Sequence, residues 1–128
     1  MIKKIMVIED EQILLRALNV ELLSQGFEVL SAKDGETGLR LIREEEPELV
    51  LLDLILPKLH GFEVLKALKS DEKTKDIPVI ILSNLGQDSD IKKAEELGAA
   101  GYFVKASTDL SELSNKINKI LTQESRVT

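Results

Sequence analysis

Leu49-Val-Leu-Leu-Asp-Leu-Ile-Leu-Pro-Lys-Leu-His-Gly61 is the stretch on which the fold turns. From Leu49 to Leu56 every residue is aliphatic except Asp53. An apolar run of that length, set between Pro47 and Pro57, predicts a strand buried on both faces. Pro57 has no N–H to give a ladder, so the strand stops before it. A carboxylate inside such a run is costly unless it is paired, bound to metal or placed at the strand's end. Asp53 is therefore expected where the strand runs out, at the rim of a sheet and within reach of a ligand. A buried Asp that caps the following loop satisfies this run equally well.

Working outward, four further apolar runs predict strands: Lys4 to Ile8, Phe27 to Ala32, Val79 to Leu82 and Gly101 to Val104. Helical spacing fills the intervals. Ile13, Leu14, Ala17, Leu18 and Leu22 fall on one broad face, and Gly26 is placed to stop that helix. Asp34 is placed to cap the next, which carries Leu39 and Ile42 and ends before Pro47. Val64, Leu65 and Leu68 mark a third. Ile91, Ala94 and Leu97 mark a fourth, closed by Gly98. Thr108 is expected to cap a fifth, with Leu110, Leu113, Ile117 and Ile120 on its inner face. Residues 1–121 form one domain in this reading, and 122–128 a frayed tail. Five strands alternating with five helices predict an α/β fold, a flavodoxin-like, doubly wound, five-stranded parallel sheet. By analogy its order is 2-1-3-4-5, with strands one and three adjacent at the switch point where ligands bind.

Composition narrows the function classes. The 128 residues suit one well-formed core. A net charge of −6 argues against a surface for nucleic acid, which needs a basic stripe. With no Cys and a single His, thiolate zinc sites, disulfides and multi-histidine centres are excluded. No apolar stretch reaches the ~18 residues of a membrane span, and Met-Ile-Lys-Lys-Ile lacks a signal-peptide core, so the expected location is the cytoplasm.

The acids Glu9, Asp10 and Asp53 fall at the carboxyl ends of strands one and three. Three carboxylates in one pocket do not all stay ionised without a cation. A hard divalent ion with oxygen ligands, Mg2+, suits them and a phosphate oxygen. No glycine-rich phosphate loop of either common spacing is present. Ser83, ending strand four, offers a hydroxyl, and Lys105, ending strand five, an ammonium. Singly, Ser83 followed by Asn84 also reads as a turn and Lys105 as a solvated strand end. The four strand-end positions together are far more specific.

On Val-Ile-Glu-Asp-Glu, Leu-Leu-Asp-Leu-Ile-Leu-Pro-Lys-Leu-His-Gly, Ile-Ile-Leu-Ser-Asn and Gly-Ala-Ala-Gly-Tyr-Phe-Val-Lys, the chain resembles the receiver domains of two-component response regulators. The resemblance covers about residues 3–121. It implies that Asp53 accepts a phosphoryl group from a sensor histidine kinase or phosphotransfer protein. It further implies that Asp10 binds Mg2+ directly, that Glu9 holds a metal-bound water and that the backbone carbonyl of Ile55 is a further ligand. By the same resemblance Ser83 and Lys105 contact the phosphoryl group, and Tyr102 is the switch aromatic on the face of helix four, strand five and helix five. Such a domain is a self-phosphorylating and autodephosphorylating switch rather than a turnover enzyme. Its expected partners are that phosphodonor and a downstream protein, with no direct nucleic acid and no membrane. It is expected as a monomer or a phosphorylation-dependent homodimer, standing alone or as part of a longer regulator.

Two other classes frame this reading. A haloacid-dehalogenase-type phosphatase also pairs an Asp nucleophile with Mg2+, but wants Asp-x-Asp after its first strand, where this chain has Glu-Asp-Glu. A pseudo-receiver that only binds would not need the intact Asp10, Asp53, Ser83 and Lys105 set. Where the family usually has proline after the lysine, Ala106 stands, so the Lys105–Ala106 peptide is expected to be trans, or strained if the family architecture forces it cis. His60 reads as an exposed loop residue. Ile55 and Leu85, two residues after Asp53 and Ser83, are expected to overlook the water's approach. Both are aliphatic, which predicts slow loss of phosphate.

Overall fold

The computed structural model describes residues 2–127, with side chains through Gln123. Its strands are β1 (Lys4–Ile8), β2 (Glu28–Ala32), β3 (Leu49–Leu52), β4 (Val79–Ser83) and β5 (Gly101–Val104). They form one parallel sheet in the order β2-β1-β3-β4-β5. The helices are α1 (Gln12–Ser24), α2 (Gly35–Glu45), α3 (Gly61–Ser70), α4 (Asp88–Glu96) and α5 (Leu110–Val127). Alternation along the strands divides the interior in two. Ile5, Val7, Leu49, Leu51, Ile80 and Leu82 face α1 and α5. Met6, Ile8, Val50, Leu52, Val79 and Ile81 face α2, α3 and α4. Because β1, β3 and β4 are covered on both faces, their sequences are continuous apolar runs.

Helix boundaries follow local chemistry. Asp34 caps α2 as expected, its carboxylate accepting the Thr37 N–H at 2.8 Å. Hydrogen bonds from Thr37 and Glu36 hold that carboxyl below the ordinary Asp range. Gly26 and Gly98 take the left-handed backbone, with φ of 88° and 99°, just past α1 and α4. His60 is exposed, and it also caps α3: its Nδ1 accepts the Phe62 N–H at 3.1 Å.

Three expectations are corrected. β3 ends at Leu52, four residues short of the apolar run's end, because β1 beside it ends at Ile8 and the two are paired in register. Leu54 is nonetheless fully buried, tucked under α3 by a bond from the Gly61 N–H to its carbonyl. On α1 the buried stripe is Leu15, Leu18 and Leu22, spaced i, i+3, i+7, while Ile13 is 88% exposed. Asp109, not Thr108, caps α5: its carboxylate accepts the Ser111 N–H at 3.0 Å. Thr108 instead donates its hydroxyl to the Val104 carbonyl, bracing a 3-10 turn over Lys105–Ser107. α5 is described as helix to Val127, past Leu121 where the apolar repeat ends. The expected fraying of 122–128 reaches residues that lie in part outside those described. Among the described residues no peptide bond is cis, so Lys105–Ala106 is trans.

Candidate functional site

The parallel order brings the carboxyl ends of β1, β3, β4 and β5 to one edge, where the side chains of Glu9, Asp10, Asp53 and Lys105 meet. Glu9 and Asp10 follow β1, Asp53 follows β3, Ser83 ends β4, and Lys105 follows β5. The Asp53 N–H still bonds the Ile8 carbonyl at 3.1 Å. Its carboxylate is thus fixed one residue beyond the ladder, beside the β1 acids.

Lys105 ties the site together. Its Nζ lies 2.9 Å from Asp53 Oδ2, 2.9 Å from Glu9 Oε1 and 3.4 Å from Glu11 Oε1. The Lys105 side chain is 8% exposed, and those of Glu9 and Asp53 are 2% and 5% exposed. Burial pulls the Lys105 ammonium toward its neutral form, but the bonds to Asp53 and Glu9 outweigh it and hold its pKa above the ordinary lysine value. The Glu9 carboxyl moves up as well. Its burial, with the charge of Asp53 adding, outweighs the hydrogen bonds it accepts from the Glu11 N–H and Lys105. The two directions are compatible, since one ammonium shared among three acids gains more than any one of them.

Glu9, Asp10 and Asp53 each bring one carboxylate oxygen to within 4.8 Å of the others. Hard oxygen donors, two of them buried against a single cation, fit a hard divalent ion. The cavity over them is about 240 Å3, lined by Asp10, Glu11, Asp53, Ile55, Asn84 and Lys105. Ile55 is half exposed at this rim, and its N–H bonds Asp53 Oδ1 at 3.3 Å.

Ser83 is fully buried, and its Oγ accepts the Leu85 N–H at 3.3 Å. The Tyr102 hydroxyl donates to the Leu85 carbonyl. Burial raises the Tyr102 phenol's pKa, and the charges of Asp90 and Asp53 add to it. Leu85 is not on the cavity lining. Its side chain packs against the core on the face covered by α2, α3 and α4, while Asn84 lines the cavity. Sequence reasoning also passed over Glu11 as a lining residue, though it stands in the same acidic run. For Asn84 the signal was ambiguous, because a polar residue after a strand is also what a turn contains.

Comparison with known proteins agrees with this geometry. A model of the response regulator receiver domain matches residues 5–118. The chain is 35% identical over 124 residues to the DNA-binding dual master transcriptional regulator RpaA of Synechocystis, covering 97% of this chain and 51% of that protein. It is 39% identical over 101 residues to the transcriptional regulatory protein AfsQ1 of Streptomyces coelicolor, covering 79% and 44%. The chain spans about half the length of the curated relatives it matches. Among solved structures, the phosphorylated cyanobacterial phytochrome response regulator RcpA superposes with a TM-score of 0.80 at 35% identity, covering 94% of this chain and 91% of that one. A CheY-like receiver domain protein from Methanospirillum hungatei shares the fold, with a TM-score of 0.92 at 23% identity over 100% of both chains.

Proposed function

The chain belongs to the response regulator receiver domain family of two-component systems, and on that premise we propose that it accepts a phosphoryl group on Asp53 from a histidine kinase or phosphotransfer protein. The observation that carries this is the Lys105 ammonium, buried and bonded to both Asp53 and Glu9 at the edge of the acidic cavity. It fixes the nucleophile where an incoming phosphoryl group adds charge.

Asp53 uses a carboxylate oxygen to form the new bond to phosphorus. The bond from phosphorus to the donor imidazole breaks, and its electron pair stays with the ring. Lys105 orients the carboxylate and then pairs with the phosphoryl oxygens. Ser83 accepts a backbone N–H and retains its own hydroxyl hydrogen to donate to the phosphoryl group. Glu9, Asp10 and Asp53, with the Ile55 carbonyl, would hold Mg2+, which supplies charge neutralisation to the transferring group when bound. The acceptor is consumed in its own reaction and restored by hydrolysis, so the domain is a switch more than a turnover enzyme. The path from Ser83 Oγ through Leu85 to the Tyr102 hydroxyl supports a readout on the α4-β5-α5 face, where a downstream protein binds. The domain is a monomer or pairs on phosphorylation. With a net charge of −6 it makes no direct nucleic-acid contact. Among the described residues no helix is long and apolar enough to cross a membrane, which fits action in the cytoplasm.

Acetyl phosphate with Mg2+ should add one phosphoryl group, read by intact mass. Persistence of the adduct in Asp53→Ala, or its formation in excess EDTA, would overturn the assignment.

A further inference from the structure

The Lys105 ammonium answers three carboxylates at once, standing 2.9 Å from Asp53, 2.9 Å from Glu9 and 3.4 Å from Glu11. A shift of its backbone would lengthen at least one of these distances, so whatever holds that backbone bears on the site. The segment itself supplies little. Lys105–Ser107 is a single 3-10 turn, a form with poor hydrogen-bond geometry, and Ala106 and Ser107 are exposed. The Thr108 N–H meets the Lys105 carbonyl at 3.5 Å, and the Ser107 hydroxyl meets the Val104 carbonyl at 3.4 Å, both long. A short bond comes from the Thr108 side chain, whose Oγ1 donates to the Val104 carbonyl at 2.6 Å. It closes a loop with Lys105 inside. Both ends of that loop are fixed from outside. Val104 is paired with Ser83 in the ladder, and its Cγ2 lies 3.2 Å from where a Cβ on Gly86 would stand. Thr108 is half-buried and is followed by Asp109, which caps α5.

We propose that Thr108 is a positioning residue for the phosphoryl transfer: its hydroxyl, by holding the Val104 carbonyl, sets where the Lys105 ammonium stands between Asp53 and Glu9. This deepens the reading of Asp53 as the phosphoacceptor and rests on it. Thr108 does not line the acidic cavity, so it acts through Lys105. Without the hydroxyl, one turn of 3-10 backbone is left to carry Lys105, and the ammonium can no longer serve Asp53 and Glu9 from one fixed point. Misplacing an orienting group by about 1 Å costs up to about a hundredfold in rate. The bond needs the hydroxyl and not the methyl group, so serine serves where valine does not.

Two readouts test this. The rate of loading from acetyl phosphate and Mg2+ is followed by intact mass. The Lys105 ammonium is followed by its own proton–nitrogen NMR signal, assigned by its absence in Lys105→Met. A matched lesion away from the site serves as control: Thr74→Val removes the bond from the buried Thr74 hydroxyl to the Leu68 carbonyl, 2.7 Å, between α3 and β4. Thr108→Val and Thr108→Ala should load at least about tenfold more slowly and move the Lys105 signal. Thr108→Ser should restore both. Thr74→Val should lower the urea midpoint yet load at the wild-type rate, with the Lys105 signal in place. If the hydroxyl-free variants load as the wild type does, or if Thr74→Val slows loading as much as they do, Thr108 does not position Lys105, and the phosphoacceptor reading stands. If the wild type takes up no phosphoryl group, that reading fails, and the NMR signal alone decides whether Thr108 fixes Lys105.

Discussion

At the scale of single residues the site is a concentration of like charge around one cation. Glu9 and Asp53 are buried within reach of each other, and Lys105 is what makes that arrangement tolerable. Removing one partner of a buried ion pair leaves the other uncompensated, at a cost of about 3–5 kcal/mol. Lys105→Met should therefore lower unfolding stability in EDTA by on the order of 3 kcal/mol, measured in urea. Added Mg2+ should restore part of the loss, because a cation among the acids replaces the missing ammonium. Equal losses with and without Mg2+ would mean that the acids do not share a cation site.

Among the elements, two backbone positions stand out, one beside the site and one remote from it. Gly61 opens α3 directly beneath Asp53. A Cβ there would lie 2.4 Å from the Asp53 carbonyl oxygen and 2.5 Å from Leu54 Cα, both backbone atoms that do not yield as a side chain would. Gly61→Ala should cost about 1–3 kcal/mol or more. It should also slow acetyl-phosphate loading, since the strain falls on Asp53, the proposed phosphoacceptor. Loading at the wild-type rate with lowered stability would confine the effect to packing. At the opposite edge of the sheet, Glu46 ends α2 in the left-handed conformation, with φ 47° and ψ 62°. Glycine takes that conformation without the Cβ penalty of roughly 1–2 kcal/mol, and an acid opposes the helix dipole there. Glu46→Gly should thus raise the urea midpoint without altering phosphate loading, because it lies at the end of the sheet remote from Asp53.

For the molecule as a whole, a divalent cation held at the acidic edge would couple stability to its concentration. An ion that binds the native state alone stabilises it by mass action, by about 2.7 kcal/mol at a hundred times its dissociation constant. Urea midpoints should rise with Mg2+, return with EDTA, and respond little in Asp10→Ala. A wild-type midpoint indifferent to Mg2+ would count against the site. Sequence alone determined the alternation of strands and helices, the strand-end placement of Glu9, Asp10, Asp53, Ser83 and Lys105, and the caps at Asp34, Gly26 and Gly98. These are local signals: apolar runs, helical spacing, and residues whose backbone or side chain suits one position. What needed the tertiary structure was everything set by a neighbour distant in the chain. β3 ends at Leu52 because β1 ends at Ile8, although its own apolar run continues. Ile13 is exposed while Leu15 is buried, because the sheet and α5 select which face of α1 to cover. Leu85 turns toward the core, and Asn84 toward the cavity, because Tyr102, 17 residues on, bonds the Leu85 carbonyl. An apolar pattern records that a residue is to be buried, whereas its partner is fixed only when the chain closes on itself.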